Sequence, residues 1–110
     1  MWTPAKKDKI ETDIKFCDDI LFVKPDCYKF WEYVKIKPEK WKENTMGQLG
    51  GGFWVVAMLG KSVIYYNDIE DGYNLSNFTN YGEIDHYRCG QAELHEVIES
   101  IFYAIERQLR

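Results

Sequence analysis

Two histidines and three cysteines are the side chains of this chain best suited to nucleophilic or metal chemistry, and their spacing assembles neither. His86 follows Asp85 directly, so in an extended segment the two side chains point to opposite faces and do not form an oriented acid–base pair. His95-Glu96 opens like a zinc-binding HExxH helix, but Glu99 stands where that motif needs its second histidine. Cys17, Cys27 and Cys89 contain no CxxC pair and read as reduced, inert thiols. Gly50-Gly51-Gly52 leads into a β-rich segment without a following Lys-Ser or Lys-Thr, whereas a phosphate-binding loop opens a helix. Asp68, Glu70 and Asp71 lack the distant glutamate of a calcium loop. The expectation is a non-enzyme with no catalytic residue, no metal and no cofactor.

What remains is a set of carboxylates interleaved with tyrosines. Asp68, Glu70 and Asp71 share one turn, Glu83 and Asp85 lie in the next connection, and Tyr73, Tyr81 and Tyr87 fall among them. Residues 1 to 42 carry ten lysines against eight acids, while residues 43 to 110 carry four basic and ten acidic groups. Acids in turns commonly do no more than bond local amides. Carboxylates mixed with tyrosines also suit an acidic patch that steers a basic protein into contact and then anchors it. The partner-binding set expected on this second reading is Asp68, Glu70, Asp71, Tyr73, Glu83 and Asp85.

The elements that must position these residues follow from periodicity. Thr3-Pro4 offers a cap and a first-turn proline, and Ile10, Ile14, Cys17 and Leu21 recur at helical spacing, which predicts a helix over Pro4 to Phe22. Lys24-Pro25-Asp26 breaks it, and Cys27 to Val34 reads as a helical turn capped by Asp26. Val34-Lys35-Ile36-Lys37 alternates as an edge strand limited by Pro38. Phe53 to Leu59 predicts a central strand, Gly60-Lys61 a hairpin turn, Ser62 to Asn67 a second strand and Tyr73 to Phe78 a third. Tyr81 to Gly90 reads as a connection with a short strand near Asp85 to Arg88, and Gln91 onward as an amphipathic helix to about Leu109. The sum is one α+β domain over residues 1–110, a central antiparallel meander of three or more strands packed against N- and C-terminal helices.

With 110 residues, 45% hydrophobic and 29% charged, the chain has material for one core. Its formal charge of −4 argues against nucleic acid as a direct ligand. No run of about 18 apolar residues suits a membrane span, and Met1 to Asp8 lacks the apolar segment of a secretory signal, so a cytoplasmic location is expected. The 16% aromatic content exceeds what a small core needs, which leaves rings for a partner.

Three stretches, Gly51 to Ala57, Tyr65 to Asn74 and Cys89 to Leu94, resemble those of small bacterial immunity proteins of contact-dependent inhibition and other polymorphic toxin systems. The resemblance covers Gly51 to Leu94 and leaves out the N-terminal helix. It implies stoichiometric binding of one cognate toxin domain, commonly a nuclease with a basic cleft, and carries over no catalytic residue. The alternatives are a generic interaction or regulatory module without a toxin partner and, more remotely, a small enzyme using His86 with Asp85 or Cys89.

Overall fold

The computed structural model describes residues 3–47 and 51–109. Gly50, expected to join the glycine run before the central strand, lies outside the described residues, as do Met1, Trp2 and Arg110. Helix α1 spans Lys7–Leu21 and α2 Pro25–Val34; strands β1 to β5 span Lys35–Glu43, Phe53–Leu59, Ser62–Asn67, Gly72–Asn77 and Glu83–Ile84; α3 spans Leu94–Gln108. The sheet order is β4-β3-β2-β1-β5. Every pairing is antiparallel except β1 with β5, which is parallel and joins Lys42 to Glu83 and Glu43 to Ile84. The chain is an α+β fold in which the N- and C-terminal helices pack on a mixed, curled sheet.

Helix α1 starts at Lys7, later than Thr3-Pro4 predicts. Ala5 donates its N–H to the Asp68 carboxylate at 2.7 Å, and its carbonyl accepts from the Trp54 indole N–H at 3.0 Å. Those two bonds pin the lead-in to the sheet, and tertiary pairing of the backbone overrides the local start signal. In α2 the first-turn proline is Pro25 itself and the cap position is Lys24, so Asp26 lies within the first turn instead of capping it.

Strand β1 runs past Pro38 to Glu43, beyond the expected edge segment. Its register against β2 shifts between Lys35 and Glu39, so Pro38 sits at an irregularity. Along Lys35–Pro38 the strand is an edge as expected; beyond it β5 covers Lys42 and Glu43. The expected two-residue hairpin joins β2 to β3, with Leu59 opposite Ser62 and Gly60 at φ 58°. The short strand expected near Asp85 to Arg88 forms earlier, at Glu83–Ile84.

Two cores flank the sheet. On the helix face Ile10, Cys17, Leu21, Trp31, Val56, Ile64, Tyr66, Tyr73 and Ile98 pack together. On the opposite face Trp41, Phe53, Val55, Val63, Tyr65, Phe78 and Ile84 form the second core. The connection after β5 covers that second face. Asp85, leaving β5 at one edge of the sheet, gives its N–H to the Asn77 carbonyl on β4, the other edge, at 3.2 Å, so the sheet curls almost onto itself. Tyr65 then accepts from the Arg88 N–H at 2.7 Å and donates to the His86 carbonyl at 3.0 Å. Asn67 and Asn74 bind the carbonyls of Arg88 and Gly90 at 2.8 and 2.9 Å. A β-carbon at Gly72 would stand 2.2 Å from the Gly90 carbonyl oxygen, so only glycine admits this crossing.

Candidate functional site

The β3–β4 turn, Asp68 to Asp71, is built by Asn67, whose side-chain oxygen accepts the N–H groups of Ile69 and Glu70 at 3.0 and 3.2 Å. Asp71 closes it in the left-handed region at φ 57°, a conformation aspartate tolerates better than most residues. On either side of the turn Tyr66 and Tyr73 stand directly opposite each other in register, on the helix face, with ring centroids 4.9 Å apart. Tyr66 donates its O–H to Asp71, and Tyr73 donates to Asp13 of α1 at 2.8 Å. Burial, and then the bond to Asp71, pushes the Tyr66 phenol well above its ordinary range. Burial, followed by the bond to Asp13, does the same for Tyr73. Both phenols therefore stay protonated donors, and each holds a carboxylate in place.

Between α1, this turn and the lead-in to α3 lies a cleft of about 270 Å³, bordered by Lys9, Asp13, Phe16, Tyr66, Asp71, Tyr73, Glu93 and His95 among others. The lead-in is fixed by the Tyr73 N–H bonding the Ala92 carbonyl at 2.9 Å, and α3 starts on a capping box formed by Glu93 and Glu96. His95 contacts Glu93 at 2.9 Å through Nε2 and Glu99 at 3.0 Å through Nδ1. Burial opposes its charge, but the bonds to Glu99 and Glu93 prevail and raise its pKa above the ordinary 6.5. Glu99 also meets Lys24 at 2.5 Å. Lys9 also borders the cleft, its ammonium 2.7 Å from Asp13 and 4.8 Å from the Tyr66 ring centroid.

The expected partner-binding residues separate. Asp71 borders the cleft. Glu70 is half-buried in the turn, and its carbonyl accepts the Gln91 side-chain amide at 3.0 Å. Asp68 is committed to the Ala5 N–H. Tyr73 borders the cleft but is 4% exposed, so its ring belongs to the core. Glu83 pairs with Asn44 at 3.1 Å and Lys42 at 3.9 Å beside β1, and Asp85 accepts from Thr79 at 2.9 Å. Because the Asp85 N–H is tied to Asn77, that residue lies at the end of β4 opposite Gly72. The six residues of β4, at about 3.3 Å each, put roughly 17 Å between the two ends. The five carboxylates thus do not border one end of the sheet. Tyr81 is exposed, donates to Glu39 and packs on Trp41, while Tyr87 packs against the second core.

Sequence reasoning missed Lys9, Asp13, Tyr66 and Glu93. A signal existed for Asp13: it sits between Ile10 and Ile14 on the apolar stripe of α1, where a carboxylate needs a buried donor. Among the described residues no group of three His, Cys, Asp or Glu side chains is arranged to hold a metal ion. None of their helices is long and apolar enough to cross a membrane. No protein-family model, curated protein or solved structure matches the chain.

Proposed function

We propose that this chain is an immunity-type binding protein of the cytoplasm that neutralises a cognate toxin domain, a nuclease with a basic cleft, through an acidic, tyrosine-bearing surface. The observation that carries the reading is the paired arrangement of Asp71 on the Tyr66 hydroxyl and Asp13 on the Tyr73 hydroxyl, which fixes two carboxylates at the hydroxyl ends of two paired rings at one cleft. A nuclease cleft is shaped to attract phosphates, so a preorganised negative surface competes for it and speeds encounter. The surface centres on Asp71, with Asp13 and Glu93 beside it; Glu83 and Asp85 belong to a separate acidic site at the far end of β4. The reading assigns no catalytic step to the chain.

Co-purification with the product of the adjacent upstream gene, followed by a nuclease assay with and without this protein, tests it. Loss of nuclease activity at one-to-one stoichiometry is the expected result. Full activity in the presence of excess protein refutes it. The alternative reading, an interaction module without a toxin, draws on a second hollow of about 220 Å³ lined by Phe30, Met58, Leu59, Leu75 and Ile105. Leu59 and Leu75 are 40% and 42% exposed there, which suits an apolar contact.

A further inference from the structure

We infer that the cleft is a socket for a single basic side chain of the partner, an ammonium or guanidinium, and that Lys9 is the internal stand-in which that side chain displaces. The inference rests on the partner being a basic protein, as proposed above, and adds what enters the cleft. Lys9 shows the chemistry that fits. Its Nζ lies 2.7 Å from the Asp13 carboxylate and 4.8 Å from the centroid of Tyr66, so an ammonium already meets an anion and an aromatic face together. Those two contacts are the ordinary means of recognising an organic cation.

Lys9 is well placed to leave. Its side chain is 44% exposed on the first turns of α1, and a solvated lysine on a flexible stem gives up such a pair at little cost. The rest of the site is fixed. Asp13 keeps the Tyr73 O–H when Lys9 swings away, and Asp71 keeps that of Tyr66. Neither phenol can follow the cation, because Tyr66 and Tyr73 are only 5% and 4% exposed and are paired across β3 and β4. Phe16, 50% exposed at the cleft, offers an apolar wall for the methylene stem of an incoming side chain. At about 270 Å³ the cleft falls just under the range of roughly 300–1,000 Å³ typical of small-molecule sites, a size that suits one side chain.

The test uses the full chain and three probes followed by NMR: the methylamides of Nα-acetyl-arginine, Nα-acetyl-lysine and Nα-acetyl-norleucine, the last an uncharged analogue of the lysine probe. The two cationic probes are expected to shift the resonances of Tyr66, Gly72 and Tyr73 saturably, and the norleucine probe to leave them unmoved. Lys9→Met removes the competitor and should tighten cation binding roughly two- to five-fold, the worth of one exposed ion pair. Asp71→Asn, a residue that accepts the same positive φ, should weaken it while preserving the thermal transition. Equal shifts from norleucine, or a Lys9→Met variant that binds cations no better than the wild type, would overturn the socket. Failure of the two readings is separable. Saturable cation binding without toxin inhibition refutes immunity and leaves the socket standing. Inert probes, with wild type and Lys9→Met inhibiting the toxin equally well, refute the socket and leave immunity standing.

Discussion

Glu43, a buried acid outside the candidate site, offers the sharpest quantitative check on how this fold is held. It is 2% exposed, yet its carboxylate is caged by backbone: Oε1 accepts from Met46 and Gly47 at 2.7 and 2.9 Å, and Oε2 from Thr45 at 3.1 Å. Burial alone would raise its pKa, but the amides of Gly47 and Met46, followed by the hydroxyl and amide of Thr45, outweigh that and hold it below the ordinary carboxylate range. Glu43→Gln keeps the volume, so no cavity opens. The amide oxygen serves Met46 and Gly47 as a weaker, neutral acceptor, while the NH₂ is left facing the Thr45 N–H, donor against donor. Bonds to a charged group contribute about 1.5–3 kcal/mol and neutral ones about 0.5–1.5 kcal/mol. Weakening two by about 1–1.5 kcal/mol each and losing one worth about 1.5–3 kcal/mol therefore costs about 3.5–6 kcal/mol, a large share of the roughly 5–15 kcal/mol that holds a domain together. Urea denaturation at pH 7 measures the difference as a shift in midpoint at constant slope. Since the folded pKa is depressed, the stabilisation is complete above the unfolded value of about 4.3 and is lost as pH falls through the folded one, so the wild-type advantage should shrink on acidification. A gap under about 1 kcal/mol at pH 7, or one unchanged at low pH, would refute the caging as a source of stability.

Other consequences are open to shorter tests. Asp68→Ala removes the acceptor of the Ala5 N–H and should cost about 1–2 kcal/mol in thermal or urea unfolding, whereas Glu70→Gln with Asp71→Asn should leave stability within about 0.5 kcal/mol and slow association with a basic partner at low salt. NMR titration of His95 should give a pKa above 6.5, and Glu99→Gln should lower it. The associated stabilisation is full below 6.5 and disappears as pH rises through the folded value. Gly72→Ala forces a β-carbon onto the Gly90 carbonyl and should destabilise by about 1–3 kcal/mol or more, with the Tyr73–Ala92 bridge the first contact to show faster amide exchange.

Local signals were legible wherever one element decided its own geometry. The hairpin at Gly60-Lys61, the bulky run Phe53–Leu59 and the amphipathic stripe of α3 each carry a period or a turn residue that short-range sterics enforce. Misreadings arise where a distant group intervenes: Asp68 takes the Ala5 N–H and delays α1, and β5 pairs with β1 across the chain where no local pattern announces a two-residue strand. The candidate site follows the same division. Asp71 and the turn that holds it are readable from Asn67 to Gly72, but Asp13 becomes its neighbour only because α1 packs across the Tyr66–Tyr73 pair.

Grouping Glu83 and Asp85 with the turn failed for a related reason. Sequence proximity to Tyr81 and Tyr87 says nothing about the curl that carries Asp85 to the Asn77 end of β4. An acidic surface assembled from α1, β3–β4 and α3 depends on tertiary packing, so anything that loosens α1 should weaken partner capture even though it touches no residue of the turn. Buried Cys17 supplies the handle. It lies on the same helix as Lys9 and Asp13, is 0% exposed, and its thiol is pushed up to about 12, mainly by burial. Cys17→Ser, which buries a hydroxyl in that apolar contact, should lower stability by about 1–3 kcal/mol and reduce cation binding at the cleft in the same samples. Lowered stability with cation affinity fully retained would show that the cleft does not depend on the seating of α1.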